Sequence, residues 1–248
     1  MYARQTLISE KIFSRAYWRE SAALFRDVRM LAVAAMTVAL RVAVKFIEIP
    51  LAAGLKLSFD CYVNAVGSLI YGPLMALAVG AVSDTVGYLV KPSGVYFFPF
   101  IFVEMMSGFL FALFFWRRRL SPARSLAAKC SVNFVCNIVM TSVFVKWQCY
   151  LLSGTEEAAA YNLINLVRIG KSLILFPLEG SLILLLFELL VPSLSRMGLT
   201  AEESLPAKAD RRQLLLGSVL ALLISAALIL LYIFFLKDFL SAHNLKLL

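Results

Sequence analysis

The stretch SFDCYVNAVGSLIYGPLMALAVGAVSDTVGYLV, residues 58–90, is apolar enough for a bilayer, yet Gly72-Pro73 breaks it and Asp60, Asn64, Ser83 and Asp84 punctuate it. A membrane crossing needs about 20 residues, so the whole stretch is too long for one helix. Proline has no N–H and suits the first turn of a new helix. The break therefore predicts a short span over 58–71 and a second over 73–90.

Outward from this pair, apolar runs lie at 30–47, 98–116, 126–150, 163–190 and 213–236. The chain is 61% hydrophobic and 16% charged, which no ordinary soluble domain matches. The predicted fold class is an all-α integral membrane protein: six transmembrane helices in a bundle, with a seventh, C-terminal span. The predicted divisions are a basic segment 1–29, a membrane domain 30–190, a linker 191–212, the extra helix 213–236 and a tail 237–248. There is no room for a separate soluble catalytic domain. The first 29 residues are charged throughout and lack the apolar core of a cleavable signal peptide.

The net charge of +9 does not indicate nucleic acid, because the cations cluster at the ends of apolar runs. Arg4, Lys11, Arg15, Arg19, Arg26 and Arg29 precede the first span. Arg117, Arg118, Arg119, Arg124 and Lys129 stand between the fourth and fifth, and Arg196, Lys208, Arg211 and Arg212 follow the sixth. If the spans alternate, all three segments share one side, and the positive-inside rule makes it cytoplasmic in a multi-pass cell-membrane protein. The acidic SGTEEAAAY loop then lies outside, as does the mildly basic tail. The N-terminal segment mixes Leu7, Ile8, Ile12, Phe13, Tyr17 and Trp18 with cations; it reads either as a helix on the inner leaflet or as a disordered basic tail.

Cys61, Cys130, Cys136 and Cys149 show no CxxC spacing and read as buried free thiols. The one histidine, His243, lies in the tail, which removes most imidazole catalysis and most transition-metal sites. No catalytic residues, metal or cofactor are expected. Gly170-Lys171-Ser172 resembles the end of a phosphate loop, but Asn165 stands where that motif needs glycine.

With orientation set, the polar residues have depths. Arg41 and Lys45, Asp60 and Asn64, Ser83 and Asp84, Glu104, Asn137, Thr141 and Gln148, and Arg168 and Lys171 all fall in the outer part of their spans. Arg41 and Lys45 are four apart; Asn133, Asn137 and Thr141 continue at four, with Gln148 seven further on, so each set shares a helix face. Intramembrane ionisable groups usually face a bundle interior or a wet cavity. Six helices agreeing on depth favours a cavity opening outward over scattered pairs such as Arg41–Asp84. Glu179 lies deeper and follows Pro177; it reads as protonated or as paired with another helix.

The inner half carries small residues at helical spacing: Ala32, Ala35 and Ala39 with Met36 in the first span, Ala76 with Gly80, and Ser83 with Gly87, in the third. Such lines allow close packing, either within the bundle or against a partner.

The order of features resembles the substrate-binding S components of energy-coupling-factor (ECF) vitamin transporters, and within them the folate-specific group. The stretches AAMTVALRVAVKFIEIPL (34–51), residues 56–115 and NLVRIGKSLILFPLEGSLILLL (165–186) carry the resemblance, with the Gly-Pro break, GAVSD and PSGVYFF as its most specific parts. The resemblance implies a six-helix bundle that binds one vitamin near the extracellular face. The loop between the first two helices, here Phe46–Leu57, would cap the cavity. Ala32, Ala35 and Ala39 would dock on a transmembrane coupling subunit, two ATPases would supply energy, and the component would topple in the membrane to release its cargo. For an anionic vitamin with a flat ring, Arg41, Lys45, Arg168 and Lys171 would take carboxylates, Asp84 or Glu104 would accept ring N–H groups, and Tyr96, Phe97 and Phe98 would stack. Phe46, Asp60, Asn64, Asn137 and Thr141 complete the candidate lining.

Three features depart from that pattern. Ser172 replaces an asparagine common after the lysine, Glu104 replaces a small or hydroxyl residue, and the span 213–236 is additional. An S component for another heterocyclic vitamin and a stand-alone secondary transporter are the competing functions. The latter usually shows internal repeats, and no convincing repeat is present here. An intramembrane enzyme would need a nucleophile with a base or a metal cluster.

Overall fold

The computed structural model describes residues 14–52, 55–92, 95–152 and 166–200, together with Val219, Leu223 and Ala227. Helix α1 (Arg15–Ala23) runs through a 3₁₀ turn (Leu24–Arg26) into α2 (Val28–Val44). Strands β1 (Glu48–Ala52) and β2 (Leu55–Ser58) lead to α3 (Asp60–Val90) and α4 (Phe100–Phe115). Helices α5 (Pro122–Val132) and α6 (Thr141–Leu152) are joined by a π-helical stretch (Asn133–Met140), and α7 is Leu166–Arg196. The protein is thus a helical membrane protein, as expected, with one correction: the loop after α2 is an antiparallel hairpin pairing Glu48 with Ser58 and Ile49 with Leu57. Strand pairing satisfies the backbone of an otherwise irregular connection.

Helix α3 is not straight, and its backbone ladder is interrupted at Gly72-Pro73. A Cβ built at Gly108 of α4 would stand 3.1 Å from Asn64 Oδ1 and 3.1 Å from Ala76 O. In a straight helix, residues 64 and 76 would be about 18 Å apart. The chain therefore doubles back between them, at Gly72, whose φ of 74° and ψ of 179° are non-helical. That left-handed φ favours glycine, and the Trp116 ring lies where a Cβ at Gly72 would come within 2.8 Å. The predicted break is a reversal between two antiparallel helical arms, 60–71 and 73–90.

Reversal exposes backbone donors at the new helix start. Ser21 Oγ of α1 accepts the Leu74 N–H at 3.1 Å, and Ser21 is fully buried. Tyr17 anchors the same helix: it is 1% exposed and meets Trp116 edge-on at 4.9 Å. Burial pushes the Tyr17 hydroxyl up to about 12, against a smaller opposing influence of Arg118. Of the two readings of the N-terminal segment, residues 15–23 are a docked helix; residues 1–13 lie outside the described residues.

The second arm of α3 packs closely on α4. A Cβ at Gly80 would lie 2.7 Å from Glu104 O and 2.8 Å from Met105 Cα, so backbone meets backbone there. The Ala76–Gly80 line is therefore an internal packing line. Beneath it Leu69, Phe111, Phe115, Ile183, Phe187 and Val191 form a core joining α3, α4 and α7. Phe115 and Phe187 meet edge-on at 4.8 Å.

Within this core Lys129 of α5 pairs with Glu179 of α7 at 2.9 Å, their side chains 4% and 11% exposed. This decides the open reading of Glu179 in favour of a partner. It also moves Lys129 from the set of terminal topology cations into the bundle. Near the pair, Ser181 Oγ donates at 2.7 Å to the carbonyl of Pro177, and Ser125 Oγ donates at 2.9 Å to the carbonyl of Gly180. The four cysteines are free, as read, but they are not uniformly buried: Cys136 is buried and Cys130 exposed. Of the span 213–236, Val219, Leu223 and Ala227 are described; they are helical and exposed.

Candidate functional site

Helices α2, α3, α4 and the π-helical stretch with α6 bring their polar residues together at the end of the bundle that carries the hairpin. The result is a hollow with two lobes. The larger, about 580 Å³, is lined by Asp84, Tyr88, Val95, Tyr96, Phe97, Phe100, Val103, Glu104, Asn137, Thr141 and Gln148. The smaller, about 310 Å³, is lined by Lys45, Ser58, Asp60, Asp84, Gly87, Tyr88, Lys91 and Glu104. Asp84, Tyr88 and Glu104 border both, so the lobes are adjacent. Ligand sites typically occupy roughly 300–1,000 Å³.

Arg41 lies behind the wall rather than in it. Its residue is 0% exposed. Nε donates to Asp60 Oδ1 at 2.9 Å and Nη2 to Asp60 Oδ2 at 2.7 Å, while Nη2 also reaches Glu104 Oε2 at 2.5 Å. A buried guanidinium needs paired carboxylates, and the planar fork fixes the orientation of each. One guanidinium here serves two carboxylates, and both of these border the hollow. The disfavoured alternative, a pair of Arg41 with Asp84, is not formed either: Asp84 Oδ1 stands 4.0 Å from Lys45 Nζ. Arg41 thus holds Asp60 and Glu104 in place, and it does not border either lobe.

Lys45 crosses directly over Gly87, where a Cβ would collide with its ammonium. The Ser83–Gly87 line consequently faces α2 and admits the lysine. Lys91, at the end of α3, donates to the Lys45 carbonyl at 2.8 Å and lies 5.6 Å above the Phe46 ring. The hairpin's base is thus clasped to the rim.

The aromatic wall comes from the segment entering α4. Tyr96 packs on Tyr88 at 4.7 Å, and Phe97 meets Phe100 at 5.7 Å and Trp147 at 5.6 Å. Phe98 does not join them; it is 59% exposed and packs on Phe102. On the opposite wall the predicted Asn133–Thr141 face is reshaped by the π-helix. Thr141 Oγ1 donates to the Cys136 carbonyl five residues back, at 2.8 Å. Asn137 Nδ2 donates to Asn133 Oδ1 at 3.0 Å, and Asn133 itself turns to α7, donating to the Ser172 carbonyl at 3.3 Å. Asn137, Thr141 and Gln148 are left on the hollow.

Among the candidate residues, Lys45, Asp60, Asp84, Tyr96, Phe97, Glu104, Asn137 and Thr141 line the hollow. Asn64 is buried one layer below, donating to Ser107 Oγ at 3.2 Å. Phe46 is exposed beside the rim. Arg168 and Lys171 stand on α7, and their side chains lie outside the described residues. Ala32, Ala35 and Ala39 form an exposed strip on α2, beside Met36 at 72% exposure. Tyr88, Phe100, Val103 and Lys91 were not among the candidates. Two of them had a signal: Tyr88 is four residues after Asp84, and Phe100 sits midway between Tyr96 and Glu104 at helical spacing. No group of three or more metal-ligating side chains occurs among the described residues.

Comparison with known proteins converges on one family. Residues 29–201 match the sequence profile of the ECF transporter, substrate-specific component. The folate transporter FolT of Clostridium novyi is 26% identical over 129 residues, covering 52% of this chain and 70% of that protein. FolT of Leuconostoc mesenteroides is 24% identical over 154 residues, covering 62% and 81%. A crystal structure of FolT bound with folic acid superposes with a TM-score of 0.51 at 24% identity, covering 62% of this chain and 88% of that one.

Proposed function

The chain belongs to the substrate-specific components of ECF transporters, and from that membership we propose that it captures folate for import. Both relatives described above are folate transporters. One observation carries the reading at the level of the site. A hollow with an aromatic wall also contains carboxylates held in fixed orientation by Arg41 and, across from them, the ammonium of Lys45.

In this reading the larger lobe takes the flat ring, with Tyr96, Phe97 and Phe100 against its faces. Glu104 or Asp84 accepts ring N–H groups, and Asn137, Thr141 and Gln148 supply further donors and acceptors. Lys45, with Arg168 and Lys171, neutralises the acidic tail. The buried Arg41 serves as a positioning residue. Glu104, already accepting from Arg41 and with oxygen lone pairs to spare, favours a ring that presents N–H donors over one that presents acceptors alone.

The six-helix count follows from taking the two arms of α3 as separate crossings, with α2, α4, the α5–α6 run and α7. Residues 213–236 would add a seventh. The hairpin end is assigned to the outside and the α1 end to the cytoplasm of the cell membrane, since the arginine clusters gather at the latter. Residues 30–190 would form the binding domain. The exposed Ala32–Ala35–Ala39 strip would meet the coupling subunit, whose two ATPases drive release; a strip of small residues permits close helix approach.

Trp147 contacts the Phe97 ring, so its fluorescence reports on the hollow. Folic acid added to the purified protein should change that emission saturably, and Trp147→Phe should remove the signal. Calorimetry should show folic acid binding to the wild type, with affinity retained in Trp147→Phe. If folic acid does not bind and mass spectrometry of co-purified small molecules finds a different vitamin, the folate assignment is wrong.

A further inference from the structure

The end of the bundle opposite the hollow carries a surface that vitamin capture does not use. Residues 14–29 and 116–124 together hold eight arginines and two carboxylates. Both carboxylates are engaged locally. Glu20 pairs with Arg117, and Asp27 caps α2 through the Arg29 N–H at 2.9 Å. Arg15, Arg19 and Arg26 are exposed. Arg15 and Arg19, four residues apart, project from the side of α1 away from its buried Tyr17 and Ser21.

Apolar groups are interleaved with these cations. Trp18 stacks on Phe109 of α4 at 6.0 Å with an interplanar angle of 19°, which places α1 across the flank of a membrane helix. Phe25, Val28 and Leu31 are 41%, 78% and 43% exposed beside Arg26 and Arg29. A surface of this kind, apolar side chains next to the exposed Arg15, Arg19 and Arg26 along a docked helix, matches the boundary between acyl chains and headgroups. A topology signal requires only that the charge be present. Here the helix is also held in register, by Tyr17 against Trp116 and by Ser21 on the Leu74 N–H.

We propose that α1 and the turn into α2 form a seat for acidic phospholipid headgroups, with Arg15, Arg19 and Arg26 contacting phosphate and Trp18, Phe25 and Val28 lying against the acyl chains. Arginine suits phosphate because its planar fork donates two parallel hydrogen bonds. Each cation near an anionic leaflet contributes enough attraction to change lipid preference by up to about fivefold.

The test uses the full-length protein in detergent, delipidated and then exchanged against equal amounts of phosphatidylglycerol and phosphatidylcholine, with retained lipid read by native mass spectrometry. The wild type should keep phosphatidylglycerol preferentially, and the preference should fall as salt rises. Arg15→Gln/Arg19→Gln/Arg26→Gln should abolish the preference, while the triple lysine variant should keep most of it. Folic acid affinity of both variants reports separately on folding and on the hollow, so failure here leaves the folate reading standing. Equal retention of the two lipids by the wild type would overturn the proposal. So would a preference unchanged in the triple glutamine variant, or one recovered only when the energising subunits are supplied, which would make the surface a protein contact.

Discussion

Two buried charge clusters sit one layer apart in this bundle and are built differently. Lys129 and Glu179 form a balanced pair, one cation to one carboxylate, closed in by the α3–α5–α7 core. Arg41, Asp60 and Glu104 form an unbalanced set, and Glu104 keeps 30% of its side chain open to the hollow. The balanced pair has nothing left over to bind. The unbalanced set keeps its cation sealed and turns a fixed carboxylate edge outward. In this bundle both clusters join helices, and only the unbalanced one also borders the hollow.

The contrast is tested hardest at Lys129. Lys129→Met leaves Glu179 buried and unpaired, which should cost about 3–5 kcal/mol of stability, read as a fall in the unfolding midpoint of the purified protein. The double variant with Glu179→Met should recover most of the loss. If the single variant is as stable as the wild type, the pair is not a structural joint.

Gly80→Ala attacks the scaffold of the other cluster. The new methyl meets the Glu104 carbonyl and the Met105 backbone, neither of which can rotate away. Parting α3 from α4 should lower stability by about 1–3 kcal/mol and displace Glu104, so vitamin affinity falls with it. Arg41→Lys keeps the charge and loses the fork. Binding should weaken about tenfold or more, in line with one lost charge-assisted bond of about 1.5–3 kcal/mol, with a smaller change in stability. An unchanged affinity would remove Arg41 from its positioning role. Gly87→Ala moves only the flexible end of Lys45, and affinity should drop by less than about tenfold, about 1.4 kcal/mol.

The smallest effect is expected at a buried polar atom that belongs to neither cluster. Tyr17 Oη is buried without a hydrogen-bond partner among the described residues. Tyr17→Phe should be neutral or stabilising by up to about 1 kcal/mol. Its ionisation is raised from 10.0 to about 12 in the folded protein, so its stabilising share is complete below pH 10 and is lost as pH rises from there through about 12. Hydrogen exchange of α1 should accelerate across that window in the wild type and not in the phenylalanine variant.

How much of this was legible beforehand differs between elements. Gly72-Pro73 announced a helix break, because proline's missing N–H and glycine's tolerance of positive φ are properties of single residues. That the break is a full reversal, capped by Ser21 from α1, depended on contacts between segments more than 50 residues apart. The polar layer was visible because a charged group in a bilayer is costly wherever it points. Its internal wiring was not: Arg41 was expected to reach a ligand, yet it holds Asp60 and Glu104. Asn133 still accepts from Asn137 but spends its own N–H on the Ser172 carbonyl of α7 and does not line the hollow with Thr141, and nothing in the residue spacing marks a change from i+4 to i+5 hydrogen bonding.

The amino-acid order by itself determined the membrane class, the positions of most helices and the depth at which polar groups lie. These follow from transfer free energy and local backbone geometry, which each segment carries alone. Tertiary structure decided which cation meets which carboxylate, which small-residue line is internal and which is exposed, and where space is left for a ligand. Those outcomes depend on side chains from different helices competing for the same partners and volume, and only the assembled bundle brings the competitors within reach.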